Sequence, residues 1–275
     1  MEGKRVLFYD PDRKACRIAE RAIAATGSSI EMTWKESALL ERDDLSEFDL
    51  LIWHFDPLSC QTTEWQSLMD RAGASFPKTK LLLHVSAPIS DYIDVLAERP
   101  FLRNLIAKAA KPLDTEELIT TTEKILRNDL FGVEKYLMWG VHPETLLIQD
   151  SRDKPAYVAQ VASFAARLGC APRVIEMVET VVDELVTNAI YNAPHDAKGK
   201  PKYAHLSRRH PVELSSEEAA HLSYASDGRY FCVAQSDRFG MLTRDTVISY
   251  LARCLKKGPS QIMYDGGGAG LGLFR

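Results

Sequence analysis

The sequence predicts an α/β protein built from two successive domains, the first organised around a parallel sheet with helices on both faces. Three observations carry this. At 275 residues the chain is longer than a single core usually fills. Through the first half, short β-branched and aromatic runs alternate with stretches of helical period. Through the second half, a long amphipathic helix precedes an alternating strand and a glycine-rich end.

The elements follow in order. Residues 5–9 (RVLFY) read as a strand, and the following DPDRKACRIAERAIAATG places Cys16, Ile18, Ala22 and Ile23 near helical spacing with Gly27 suited to a C-cap. Residues 48–55 (FDLLIWHF) and 79–87 (TKLLLHVSA) are further buried-strand candidates, each followed by a helical stretch. Such alternation gives a parallel sheet whose ligands sit beyond the carboxyl ends of its strands, which singles out Asp10, Asp12, His54, Asp56 and Ser86. Between residues 128 and 152 the periodicity breaks at Gly132, Gly140 and Pro143, yet Phe131, Tyr136, Leu137, Met138 and Trp139 are too apolar for a free linker; a packed connector is expected. His142 precedes a proline, which disfavours helix there, so it does not read as a phosphoacceptor on a dimerisation helix.

The clearest helix spans residues 172–194, with Ile175, Val178, Val182, Leu185, Val186 and Ala189 on one apolar face. Glu184 and Asn188, four apart, lie one above the other on it. An amide oxygen and a carboxylate stacked this way suit a magnesium–phosphate centre. Residues 228–240 (GRYFCVAQSDRFG) read as an alternating strand ending at Asp237 with a turn at Gly240, preceded by a charged surface excursion over 195–229 with a hairpin at Ser226-Asp227-Gly228. Within the excursion Lys200, Lys202, Arg208 and Arg209 read mainly as a solvated face. The chain closes on DGGGAGLGLFR, glycine-rich enough for a backbone to approach a ligand closely.

Composition bounds the function. Hydrophobic residues at 45% and charged residues at 26% exclude disorder and fibres, and a net charge of −4 argues against nucleic acid as a partner. No apolar run is long enough to cross a bilayer, so no membrane is expected. The start lacks the apolar core of a signal peptide, and five scattered cysteines without a C-x-x-C pair read as reduced core thiols. A cytoplasmic protein is expected.

Two sets of motifs resemble known families. Asp10-Pro11-Asp12 after the first strand, Asp56-Pro57 after the third, Ser86-Ala87 after the fourth, and Lys111-Pro112 before an acidic helix resemble a response-regulator receiver domain over about residues 4–127. The resemblance implies a flavodoxin-like fold with a five-stranded parallel sheet. It also implies Mg²⁺ held by Asp10 and Asp12, a phosphoryl acceptor ending the third strand, and phosphate contacts from Ser86 and Lys111. The acceptor position falls on Trp53 or, by the better count, His54 rather than on an aspartate, and Asp56 lies two residues beyond His54. Either Asp56 or His54 takes a phosphoryl group, or the domain is a degenerate receiver kept as a docking or dimer surface; the second is the expectation.

The order of a helix bearing Glu184 and Asn188, a strand ending in Asp237-x-x-Gly240, and a Gly-x-Gly-x-Gly-Leu run resembles the ATP-binding domain of histidine kinases, gyrase and Hsp90-type chaperones. DELVTNAI is most similar to the anti-sigma-factor serine kinases. The resemblance covers about residues 151–275 and implies a two-layer α/β sandwich. It implies Glu184 as base or water-orienting group, Asn188 as the Mg²⁺ ligand, Asp237 on the adenine amino group, and Gly240 near the base. Gly268, Gly270, Leu271 and Gly272 would form the phosphate turn. Phe239 departs from the family, which usually has glycine there, and the chain ends where the related domain continues, so an incomplete sandwich is expected.

The expected organisation is thus a receiver-like domain over 1–127, a connector over 128–152 and an ATP-binding domain over 153–275. The leading function is Mg-ATP-dependent phosphorylation of a serine or threonine on a protein signalling partner, such as an anti-anti-sigma-like regulator, with a homodimer among the expected assemblies. A non-catalytic ATP-sensing adaptor, a plain ATPase and a histidine kinase are the alternatives.

Overall fold

A computed structural model describes residues 3–107 and 113–255 and divides the chain into two compact units, with the division between Leu130 and Phe131. Lys111 and the run containing Gly268, Gly270, Leu271 and Gly272 lie outside the described residues.

In the first unit, strands β1 (Arg5–Tyr9), β2 (Ser29–Thr33), β3 (Leu50–Phe55), β4 (Lys80–Val85) and β5 (Asn104–Ala107) alternate with helices α1 (Arg13–Ala24), α2 (Glu36–Leu40), α3 (Thr63–Ser75), α4 (Ile93–Glu98) and α5 (Thr115–Arg127). The strands are all parallel in the order β2-β1-β3-β4-β5. That order is the flavodoxin-like doubly wound topology, as expected. The even-numbered β1, β3 and β4 side chains, among them Phe8, Ile52 and Leu82, pack with Cys16, Ala19 and Ile23 of α1 and Leu118 and Ile125 of α5. The odd-numbered ones face the other way, where Tyr9 and Trp53 meet Trp65 of α3 with ring centroids 6.2 and 6.3 Å apart. Burial on both faces explains why β1, β3 and β4 read as continuous apolar runs.

The second unit contains β6 (Glu144–Ile148), α6 (Lys154–Arg167), α7 (Pro172–Thr187), β7 (Ala220–Ser226), β8 (Phe231–Ser236) and α8 (Arg244–Leu255), with an antiparallel sheet in the order β6-β7-β8. Val161 and Ala165 of α6 and Val178, Val182 and Val186 of α7 pack on Ile148, Leu222 and Tyr224, a helical layer on a sheet. After Thr187 the helix widens into one π turn, Asn188–Asn192, closed by Ala193 N donating to Asn188 O at 2.8 Å.

Three expectations are corrected. The segment expected to be surface excursion ends in β7, the central strand of this sheet, with Ala220, Leu222 and Tyr224 fully buried. The hairpin itself is where it was placed: Asp227 N donates to Tyr230 O, and Gly228 has φ +86°. The packed connector is divided differently. Its second half forms edge strand β6, which buries Ile148, while in its first half Phe131, Tyr136, Met138 and Trp139 are exposed and Val133 is buried. Of the cysteines whose side chains are described, Cys16 is buried but Cys170, Cys232 and Cys254 are only partly so. Among the described residues no helix is long and apolar enough to cross a membrane.

Candidate functional site

In the first unit, sheet register assembles the polar cluster. His54 of β3 pairs directly with His84 of β4, and Asp10 follows Tyr9, which pairs with Trp53, so the three residues occupy one row across β1, β3 and β4. They lie one layer above the apolar row Phe8, Ile52 and Leu82, toward the carboxyl ends of the strands where a doubly wound sheet binds ligands. Asp10 Oδ2 is 3.5 Å from His84 Nδ1 and 3.8 Å from His54 Nδ1, and the imidazoles meet edge to face at 5.9 Å. Asp10 and His84 are each 1% exposed; the His54 side chain, 22% exposed, is the route to solvent.

The other expected residues are placed around this cluster rather than in it. Asp12 caps α1, accepting from Lys14 N at 2.8 Å, while its own amide donates to Asp10 Oδ1 at 2.8 Å. Asp56 stands just beyond β3, exposed, and accepts from Leu58 N (3.1 Å) and Ser59 Oγ (3.3 Å), so both its oxygens serve the following turn. Ser86 is exposed after β4. Beside Asp10, the Cys16 thiol donates to the Asp10 carbonyl at 3.2 Å, and burial pushes its pKa up, keeping it protonated. Tyr9 is likewise pushed up to about 12 by burial, helped by the Glu36 and Asp10 charges. A Mg²⁺ site of the receiver kind does not fit these residues. It calls for hard oxygen ligands, whereas among the described residues the metal-ligating side chains gathered with Asp10 are two imidazoles.

In the second unit, α7 and its π turn carry a column of polar groups. Asn188 Nδ2 donates to Glu184 Oε1 at 3.4 Å, Asn192 Nδ2 donates to Asn188 Oδ1 at 2.6 Å, and an Arg208 guanidinium N–H donates to Asn192 Oδ1 at 3.1 Å. Arg208 also lies over the Tyr191 ring, 4.6 Å from its centroid, and Tyr191 donates its hydroxyl proton toward the carbonyls of Arg208 and His210. The Arg208 region of the excursion is therefore anchored to the helix end. Lys202, by contrast, is engaged by Glu218.

Asp237 follows β8 and organises its turn, accepting from Phe239 N at 2.9 Å, Gly240 N at 3.4 Å and Gln235 Nε2 at 3.1 Å. Gly240 sits at φ +63° with open space where a Cβ would be, so here glycine serves backbone conformation rather than close approach. Phe239, the departure from the family pattern, packs against His195 at 6.5 Å, bringing the turn beside the segment that leaves α7. Asp237 also lines a solvent-open cleft of about 380 Å³ with Ser216, His221 and Arg238. Neither Glu184 nor Asn188 is among the residues that line that cleft. His84, Asn192 and Arg208 were not singled out as site residues in the sequence. The excursion reading touched Arg208, but only the structure brings it to the helix.

Neither a protein-family model nor a curated protein sequence matches the chain. Among solved structures, a response regulator from Thermotoga maritima is 20% identical, aligning 45% of this chain with 98% of its own at a TM-score of 0.35. A CheY-like response regulator receiver domain protein from Methanospirillum hungatei is 18% identical over 46% of this chain and 95% of its own, with a TM-score of 0.35. The flavodoxin-like domain of a Synechococcus protein is 14% identical over 45% and 96%, with a TM-score of 0.33. The assignment of the first unit to the receiver-like, flavodoxin-like fold rests on its own strand order and helix placement.

Proposed function

We propose that the protein is a signalling protein whose receiver-fold unit does not work by aspartyl phosphorylation and whose second unit binds Mg-ATP to phosphorylate a serine or threonine of a partner protein. The observation that carries the ATP reading is the column Glu184, Asn188, Asn192 and Arg208, with the Asp237–Gly240 turn held beside the segment leaving α7. Its members supply complementary chemistry. Glu184 accepts or orients the proton of an acceptor hydroxyl, the Asn188 amide oxygen is a hard ligand suited to Mg²⁺, and Arg208 offers a planar cation for phosphate oxygens. Asp237 retains acceptor capacity for an exocyclic amine, which distinguishes adenine from guanine. In the first unit, an imidazole at position 54 and the use of both Asp56 oxygens by the neighbouring turn support a docking role over phosphoryl transfer.

The test is thermal denaturation of the full chain with nucleotide, since a ligand that binds only the folded state raises stability by mass action. ATP with Mg²⁺ is expected to protect the second unit and GTP is not. Asp237→Asn should abolish the protection, whereas Glu184→Ala should keep it but lose phosphate transfer from labelled ATP to a partner. Equal protection by GTP, or full ATP protection in Asp237→Asn, would sink the reading. Binding without transfer in the unmodified protein would leave the non-catalytic adaptor.

A further inference from the structure

We propose that Asp10, His54 and His84 form a binding site for a borderline divalent transition-metal ion of the Zn²⁺ class. The proposal is independent of the ATP reading, because it concerns only the first unit. One ligand atom from each residue lies within 4.8 Å of the others, and the sheet holds all three: two are register partners and the third directly follows the neighbouring strand. An ion bound at about 2.0 to 2.2 Å by nitrogen and oxygen ligands in tetrahedral array holds its donors roughly 3.4 Å apart. The measured separations of 3.5 and 3.8 Å from Asp10 Oδ2 to the two Nδ1 atoms need only a small closure.

The second observation concerns His84 alone. It is 1% exposed, yet among the described residues neither its Nδ1 nor its Nε2 has a hydrogen-bond partner. A buried polar group without a partner costs free energy, and such groups in a folded core call for a reason. A metal ion supplies one for Nδ1, which has the Asp10 carboxylate 3.5 Å away but no hydrogen bond to it.

Ligand chemistry narrows the ion. Two neutral imidazoles with one carboxylate favour zinc and its neighbours in the transition series over Mg²⁺ or Ca²⁺, which select oxygens. The nearby Cys16 thiol points at backbone carbonyls, so among the described residues the set is two nitrogens and one oxygen, and the part-exposed His54 side chain marks where water can reach the ion as a fourth ligand. The site then ties together the carboxyl ends of β1, β3 and β4, where a phosphorylated receiver would instead carry its phosphoryl group.

The experiment uses the full chain stripped with a chelator and titrated with Co²⁺, read by its visible d–d absorption, with Zn²⁺ competition and a parallel Mg²⁺ arm. The expected result is one Co²⁺ bound with a nitrogen–oxygen rather than thiolate spectrum, displaced by Zn²⁺ and untouched by Mg²⁺. His84→Leu should weaken the affinity by more than about 100-fold, beyond what loss of an outer-shell partner produces. Asp10→Asn is the second variant, and its circular dichroism, like that of His84→Leu, is compared with the parent to show that the fold persists. Failure to bind Co²⁺, undiminished binding in folded His84→Leu, or displacement of Co²⁺ by Mg²⁺ would each overturn the site.

Discussion

Replacing His84 by leucine should stabilise the metal-free protein, against the usual direction of a core substitution. His84 is 1% exposed and neither ring nitrogen is hydrogen-bonded among the described residues. Carrying such a group into the interior costs about 1 to 3 kcal/mol by mutational measures. Leucine is close in volume and apolar, and its neighbours below are the apolar Ile52 and Leu82, so misfit and loss of the Asp10 contact should return less than about 1.5 kcal/mol. The net expectation is a gain of about 1 kcal/mol. For a unit of this size that raises the melting midpoint by roughly 4 °C. Tryptophan fluorescence in chelator is the assay, because Trp53 and Trp65 are buried beside the first unit's sheet whereas Trp139 is fully exposed and barely responds to unfolding. A loss of stability greater than about 1 kcal/mol would refute the reasoning, since it would show that the imidazole already makes a native hydrogen bond.

Two further outcomes test the rest of the fold. Leu222→Ala, at a fully buried position of the central strand β7, should cost about 2 to 5 kcal/mol in urea denaturation, while Leu147→Ala on the exposed side of edge strand β6 should stay within about 0.5 kcal/mol; equal costs would contradict the strand order. Arg42 grips Asp44 through two hydrogen bonds, 2.8 and 2.7 Å, and holds its carboxyl below the ordinary value of 3.8. A depressed folded pKa contributes stability that is present above the ordinary value and lost as pH falls through the folded one. Asp44→Asn should therefore be less stable than the parent at pH 6, with the gap closing below about pH 4, and a gap that stays constant to pH 2 would remove this pair from the acid response.

What could be read from the sequence follows burial. β1, β3 and β4 are covered on both faces, so their apolar runs announce them, whereas β7 alternates in AHLSYAS and hides its buried Leu222 and Tyr224 among polar neighbours. β6 was lost in the same way, behind the exposed aromatics that precede it. Counting along β3 does single out His54 near the carboxyl end of that strand. His84 could not be found so, because within TKLLLHVSA it is one more strand residue until register pairs it with His54. Likewise Glu184 and Asn188 follow from helical spacing, but Arg208 joins them only through the fold of the segment between them and β7.

The π turn accounts for how the polar column holds together. Along an α-helix each residue advances about 100°, so a four-residue step overshoots a full turn by about 40° and three such residues fan out by twice that. Glu184 and Asn188 are related by an α-helical step, and Asn188 Nδ2 donates to Glu184 Oε1 at 3.4 Å. In the wider turn that follows, with roughly 4.4 residues per turn, the same four-residue step falls short by about 30°. The drift reverses, which keeps Asn192 in line with Asn188, whose Oδ1 accepts from Asn192 Nδ2 at 2.6 Å. The same unwinding leaves Tyr191 buried, with its hydroxyl on the carbonyls of Arg208 and His210. A helix that stayed regular through residue 192 would continue the drift and fan Glu184, Asn188 and Asn192 over about 80°. The local widening therefore sets the geometry on which the candidate phosphate side of the site depends.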